Sequence, residues 1–365
     1  MELNEFFSHL LPIGYPFTVV NTEQIKADSQ VKEIVIHVEV DKDYRPEGYP
    51  YYHSRYQRRW RHLSLFEYPC YIECDVVVYE NPSTGATISL EIPWARKGSG
   101  FTLLFESYVL SVLASNYCIS STARLLGLHP QRVSRIYQAY TQESFERHQV
   151  ATPVRLGIDE TSTRKGHHYI TVFVDMDTAQ IVDIEQGRDA ACIAAFASKR
   201  SDIDRIKEVS MDMSPAFVKG VDEHFSNASK TFDKFHVFRL VYSHLDKLKD
   251  KVKAEKKELF EWLGAQFQLL YELDNKEQAS AFLAFWIDAL DDLVKDNPLT
   301  KSLKKHFDGI VNFFDSKLTN GLLEGINAKI QTIKRIARGY KSVENFKRRI
   351  LFAFGLLKLR PSKIT

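Results

Sequence analysis

Cysteine is scarce in this chain, with four in 365 residues. That is too few for a disulfide framework and fits a reducing cytosol. Long apolar runs are missing as well. No stretch of 18 or more apolar residues occurs, so no membrane-spanning helix is expected. The first residues, MELNEFFSHLLPIGYP, place no basic segment ahead of their short apolar stretch, which argues against a secretory signal. Internal repeats and low-complexity tracts are absent, and net charge nearly so, at +2. An apolar fraction of 44% and a charged fraction of 26% exclude global disorder. The length suits two or three domains.

The near-neutral total hides local imbalance. From Lys329 onward there are eleven Lys/Arg against one acid, Glu344. Between residues 45 and 62, Arg45, Arg55, Arg58, Arg59 and Arg61 interleave with Tyr49, Tyr51, Tyr52, Tyr56 and Trp60. Basic and aromatic side chains together suit phosphate contact and base stacking, with Arg58 and Arg59 as the candidates. A solvated basic face accounts for the same composition.

Residues 1–98 read as a small strand-rich module. VKEIVIHVEV alternates through Ile34, Ile36, Val38 and Val40, and CYIECDVVVYE and ATISLEIPW read as further strands. Residues 99–150 are helical. Within SSTARLLGLHPQRVSRIYQAY, Ala123 and Leu126 face inward, Gly127 permits a tight turn, Leu128 plugs it and Pro130 starts a second helix faced by Val133, Ile136 and Tyr137. That is helix-turn-helix spacing. It puts Gln131, Arg132, Ser134 and Arg135 where a recognition helix meets base edges, although a helical hairpin in a bundle has the same pattern.

From 151 to 240 the order reads β-β-β-α-β-α-β. The strands are VRLGIDE, HHYITVFVDMD, AQIVDIEQGR, KEVSMDMS and KTFDKFHVF. The helices run from about Ala190 to Arg205 and from Pro215, capped by Ser214. Residues 241–315 are helical throughout and read as an insertion. Two closing helices fall within 316–365, about Asn320–Arg338 with Gly339 at its C′ cap, and Val343–Leu359 capped by Ser342.

Asp159 ends the first of these strands and Asp212 the fourth, which are neighbours in a sheet of this order. Two convergent carboxylates repel unless a cation lies between them, and Mg²⁺ takes such oxygen ligands. Two ions of this kind activate a nucleophile and stabilise the leaving oxygen of a phosphodiester. Strand-end aspartates are also common turn residues. On the first closing helix, Leu322, Leu323, Ile326, Ile330, Ile333 and Ala337 form the expected buried stripe. Glu324, Asn327, Gln331, Lys334 and Arg338 form a polar one. Glu324 there suits a third metal ligand, and Lys334, Arg335 and Arg338 a track for a phosphate backbone. A solvated polar face fits as well.

GIDETSTRKGHHYITVFVDMD (157–177), EVSMDMSPAF (208–217), DKFHV (233–237) and NGLLEGINAKIQTIKRIARGYKSVENFKRRI (320–350) together resemble the DDE transposases of the ISL-three family of bacterial insertion sequences, as do WARKGSGFT (94–102) and the helix-turn-helix. The resemblance covers most of the chain from Trp94. It implies an α/β RNase H-like catalytic domain with an all-α insertion, acting in the bacterial cytoplasm at the nucleoid. It implies a homodimer on double-stranded DNA that cuts terminal inverted repeats and joins them to target DNA with two Mg²⁺ or Mn²⁺ ions. The family's acidic triad falls on Asp159, Asp212 and Glu324. Asp233 is the rival for the second position. Asp233-x-x-His236 resembles an element that follows the second aspartate in related transposases, and Asn327 is a supporting residue. A structural zinc, usual in the family's N-terminal module, is not expected, because only Cys70 and Cys74 are there. A non-enzymatic DNA-binding regulator and a nuclease that cuts without joining are the rival functions.

Overall fold

The computed structural model describes residues 7, 11, 13–28, 30–116, 118–146, 151–164, 168–250, 254–340 and 342–355. The chain divides into two compact units, one over the first 146 residues and one over Arg147–Leu357. No helix among the described residues is long and apolar enough to cross a membrane.

The N-terminal unit begins with five strands: β1 (Phe17–Ala27), β2 (Gln30–Val40), β3 (Tyr51–Leu65), β4 (Tyr68–Glu80) and the short β5 (Thr87–Ser89). The sheet order is β1-β2-β4-β3, with β5 on β4. Ile34, Ile36 and Val38 are buried on β2 as the alternation predicts, and Cys70, Ile72, Cys74 and Val76 form the matching stripe on β4. Trp60 and Trp94 close this core edge to face, 5.7 Å between ring centres. Strands β1 and β3 are additions to the sequence reading, and the strand expected over ATISLEIPW shrinks to three exposed residues.

The helix-turn-helix follows as α1 (Leu103–Asn116), α2 (Ile119–Leu125) and α3 (Pro130–Glu146). Gly127 takes φ +63°, and the amide of Leu128 returns to the Ala123 carbonyl at 2.8 Å. This six-to-one bond with a left-handed residue inside it is a Schellman ending, which glycine adopts at least cost. Ala123, Val133 and Ile136 are buried, while Leu128 is only half-buried.

The second unit holds a five-stranded mixed sheet ordered β10-β9-β6-β7-β8. Its elements are β6 (Arg155–Arg164), β7 (His168–Asp175), β8 (Gln180–Gln186), α4 (Ala190–Ser198), β9 (Glu208–Met211), α5 (Pro215–His224) and β10 (Ser229–Phe232). β6, β7 and β8 form an antiparallel meander, and β9 and β10 lie parallel to β6. The first helix stops at Ser198, short of the expected Arg205, and a separate 3-10 turn covers Ile203–Arg205. The last strand ends at Phe232. DKFHVF is helical rather than extended, because Asp233 caps α6 (Lys234–Lys249) by accepting the Phe235 amide at 3.2 Å. Ser214 sits at the N-cap of α5, but its side chain makes no capping bond.

The described residues of 241–315 contain no strand. They form the end of α6, then α7 (Ala254–Gln268), α8 (Lys276–Leu293), α9 (Pro298–Lys305) and two short turns, α10 (Phe307–Val311) and α11 (Phe313–Ser316). One apolar core runs from Leu156 of the sheet to Phe314 of this helical segment. Gly309 lies against the Phe232 ring so closely that a Cβ would overlap it, and Asn312 donates to the Lys230 carbonyl at 2.9 Å. The helices thereby seat the edge strand β10. Trp286 is buried and donates to the Leu263 carbonyl at 3.0 Å, whereas Trp262 is 55% exposed.

The closing helices are α12 (Gly321–Ile336) and α13 (Val343–Phe354). Leu323, Ile326, Ile330 and Ile333 are buried on α12 as expected, but Leu322 is half-buried and Ala337, past the helix end, is exposed. Arg338 rather than Gly339 is the C′ residue, at φ +54°, with the Gly339 amide bonding back to Lys334 at 2.9 Å. Ser342 caps α13 through the Asn345 amide at 3.4 Å.

Candidate active site

Parallel pairing sets three aspartates in a row. Gly157 on β6 is level with Ser210 on β9, and Met211 on β9 is level with Phe232 on β10. Carrying that register on brings Asp159 level with Asp212, and Asp212 level with Asp233. Asp212 and Asp233 directly follow the last residues of β9 and β10, whereas Asp159 lies within β6, which runs on to Arg164 in its hairpin with β7 instead of ending there as expected. Neighbouring strands run about 4.8 Å apart. Their fields interact: Asp212 and Asp233 both raise the pKa of Asp159, while His236 opposes them.

The three carboxylates differ in how they are satisfied. Asp159 is pushed up to about 6, first by loss of solvent and then by its acidic neighbours. Its Oδ1 accepts the Glu160 amide at 2.8 Å and its Oδ2 accepts the Asn327 amide N–H at 2.6 Å. Asp212 is half-buried, and only its Oδ1 takes a backbone amide, that of Ser214 at 2.9 Å. Asp233 is 2% exposed and is bonded to the Phe235 amide and to His236 Nδ1 at 2.7 Å. That bond raises the His236 pKa against the opposing effect of burial. Glu160 pairs with Arg188 at 3.5 Å, and burial raises its pKa.

Helix α12 docks on β6 through its polar stripe. Besides Asn327 on Asp159, Gln331 donates to Thr161 Oγ1 at 2.6 Å and to the Ser162 carbonyl at 3.1 Å. Lys334 donates to the same carbonyl at 2.8 Å and to Ser162 Oγ at 3.1 Å. Gly157 leaves room for this approach, since a Cβ there would stand 2.9 Å from Leu323 Cδ2. At the head of the helix, Asn320 accepts from Ser210 Oγ at 2.6 Å, a buried tie to β9 that the sequence pattern did not flag. Glu324 is exposed in the first turn of α12. Among the described residues, no three acidic, His or Cys side chains are grouped closely enough to hold one ion. Glu324 is therefore not gathered with the two aspartates here.

The expected DNA-contacting residues fall into two groups. Gln131, Arg132 and Arg135 are exposed on α3 and Ser134 is half-buried, with the Arg132 guanidinium 5.6 Å from the Phe101 ring. Arg335 and Arg338 are exposed. By contrast, Lys334 is half-buried and bonded to Ser162, and desolvation lowers its pKa, so it is not an open track residue. Arg58 donates to the Ser99 carbonyl at 2.9 Å, and Arg59 pairs with Glu33 at 2.7 Å and Glu73 at 3.3 Å. Both are engaged in holding the sheet. The exposed aromatics of β3 are Tyr51, Tyr52 and Tyr56, and the exposed Arg55 pairs with Asp75 at 3.5 Å.

Cys70 and Cys74 are core side chains four residues apart on one strand, about 13 Å at the usual rise, so they cannot share an ion. Burial raises their thiols to about 11 and about 12. His62, buried and bonded to Thr102 Oγ1 at 2.9 Å, is lowered to about 4 by the same cause.

A helix-turn-helix followed by an α/β sheet with carboxylates aligned across neighbouring strands is the layout of a DNA transposase. The DDE transposase model of family ISL3 matches residues 156–266 and 262–350, and the model for the helix-turn-helix domain of transposase family ISL3 matches residues 90–141. The chain belongs to the ISL3 family of insertion-sequence transposases. It is 25% identical over 376 residues to the transposase for insertion sequence element IS1557 of Mycobacterium tuberculosis, covering 84% of this chain and 83% of that protein. It is 24% identical over 351 residues to the transposase for insertion sequence element IS1001 of Bordetella parapertussis, covering 83% and 86%. Among solved structures, the catalytic core domain of BIV integrase matches 28% of this chain and 76% of that one, at 13% identity and a TM-score of 0.18, too slight to carry any argument.

Proposed function

We propose that this transposase cuts the terminal inverted repeats of its own element and joins them to target DNA by cation-dependent phosphoryl transfer in an RNase H-like domain. The observation that carries the reading is the row of aspartates across three neighbouring strands, with Asp159 desolvated beside two like charges. Such a row suits a hard cation, and the buried Asn327 Oδ1, which has no hydrogen-bond partner, adds an unfilled acceptor next to it. Asp159 and Asp212, joined by Glu324, which stands apart from them in the free chain, would hold a pair of Mg²⁺ or Mn²⁺ ions, which would supply activation of the attacking oxygen and stabilisation of the leaving one.

The chain's own residues divide the remaining work. Asp212, with one oxygen free of backbone donors, suits the second ligand position. Asp233 has both oxygens engaged and serves instead to cap α6 and orient His236. Gln131, Arg132, Ser134 and Arg135 read the repeats, aided by the N-terminal sheet. Two ends must be held together, so the working form on DNA is a homodimer.

The test is a cleavage and joining assay with full-length protein, Mg²⁺ and labelled duplexes carrying the element's own ends. Wild type cuts and joins, whereas Asp159→Ala and Glu324→Ala bind the ends but do neither. Wild type that binds the ends and never cuts would replace this reading with a DNA-binding regulator, and cutting without joining would replace it with a nuclease.

A further inference from the structure

Asn327 stands one helical turn after Glu324 on α12, and its two amide atoms are treated unequally. The nitrogen donates a short, charge-assisted bond to Asp159 Oδ2 at 2.6 Å. The oxygen is buried and has no hydrogen-bond partner. An unfilled buried acceptor costs the desolvation of that atom, and it persists where a site awaits a further donor. The Asp159 carboxylate, which the nitrogen of the same amide holds, stands beside it. A ligand that presents an O–H donor beside Asp159 would fill it, and a water bound to a divalent cation is such a donor.

We propose that Asn327 is a positioning residue that brackets the cation site, its N–H fixing the Asp159 carboxylate and its Oδ1 accepting from a water on the cation. The proposal rests on Asp159 being a cation ligand. It also gives the rest of the polar stripe a separate task. Gln331 and Lys334 bond to Thr161 and Ser162, beyond Asp159 on the same strand, and touch no acidic residue of the row. They tie α12 to β6 jointly, so that the loss of one leaves the other in place, whereas Asn327 alone on this stripe orients Asp159. Metal ligands held by a second residue in this way lose affinity when that residue is removed, typically by tenfold or more.

The test measures Mn²⁺ binding to full-length protein without DNA, from the electron paramagnetic resonance signal of free Mn²⁺. The variants are Asp159→Ala, Asn327→Ala, Asn327→Leu and Gln331→Ala, each checked for folding by thermal unfolding in EDTA. Asn327→Leu keeps the approximate shape and removes both hydrogen-bonding atoms, so it stands in if the alanine variant fails to fold. Asp159→Ala abolishes the site. Both Asn327 variants weaken Mn²⁺ binding at least about tenfold. Gln331→Ala, which loosens the same helix without touching Asp159, stays within about twofold of wild type, as expected for a residue outside the ligand shell. Wild-type affinity in both Asn327 variants overturns the proposal, and so does an equal loss in Gln331→Ala, which would make the stripe a structural clamp only. Unchanged binding in Asp159→Ala would instead remove Asp159 from the ligands and with it the reading on which the proposal rests.

Discussion

Each unit of this chain takes a carboxylate out of water, Glu106 fully and Asp159 in part, and the two are treated in opposite ways. In the N-terminal unit Glu106 of α1 is fully buried and saturated with donors. Arg96 reaches it at 3.0 Å, Ser99 Oγ at 2.7 Å and the Tyr140 hydroxyl at 2.6 Å. The network ties the loop before α1 to the recognition helix α3. In the second unit Asp159 has one backbone amide and one side-chain amide, and two further aspartates near it. A buried charge with a full donor set is architecture. A half-buried one left short of donors among like charges is poised for a cation.

The largest effect is expected at the under-satisfied carboxylate. Asp159→Asn keeps the shape and removes the charge, and end cleavage by the full-length protein should fall by about a thousandfold or more, as for loss of an electrostatic group at a reacting phosphate. The same substitution should raise stability. Burial lifts Asp159 to about 6, above its ordinary value of 3.8, so the folded chain binds a proton more tightly than the unfolded one. Its contribution is favourable at low pH and is lost as pH rises through about 6. Metal-free wild type should therefore lose stability between about pH 4 and pH 6, and Asp159→Asn should be flat there and melt higher at pH 7. Asn327 can turn its amide over to meet the new side chain, filling its empty oxygen.

At the saturated member the sign reverses. Glu106→Gln removes the charge that Arg96 pairs with and should cost about 2 kcal/mol, read from denaturant unfolding, with weaker binding to the element's ends. Tyr140→Phe removes a single donor and should cost about 1 kcal/mol. Burial and the bond to Glu106 hold that hydroxyl well above its ordinary pKa, so no pH dependence should accompany the loss below pH 9. A Glu106 variant more stable than wild type would erase the distinction between the two sites.

Much of this was legible in the residues, where burial imposes a period. The helix-turn-helix follows from Ala123, Gly127, Val133 and Ile136, and the stripe of α12 from Leu323, Ile326, Ile330 and Ile333. Strand β3 was not legible because its residues 51–57 are exposed on both faces, which leaves no alternation to read. The end of β10 was hidden because KTFDKFHVF is apolar enough for a strand, and only the capping geometry of Asp233 turns it into a helix. Glu106 gave no signal, since a lone acid in an apolar helix reads as a first-turn charge until Tyr140 is brought to it. The pairing of Asp159 with Asp212 was legible from strand order, but the separate duties of Asn327, Gln331 and Lys334 were not. A polar stripe looks the same whether it faces solvent or a neighbouring strand.

On this reading the middle carboxylate of the row, Asp212, and not its buried neighbour Asp233, shares the cation with Asp159. End cleavage by Asp212→Asn and Asp233→Asn, measured side by side with folding and DNA binding verified, decides between the two. Asp212→Asn should be inactive at every Mg²⁺ concentration, while Asp233→Asn should keep measurable cleavage and lose stability through its weakened cap. An active Asp212→Asn beside an inactive, folded Asp233→Asn would contradict the account.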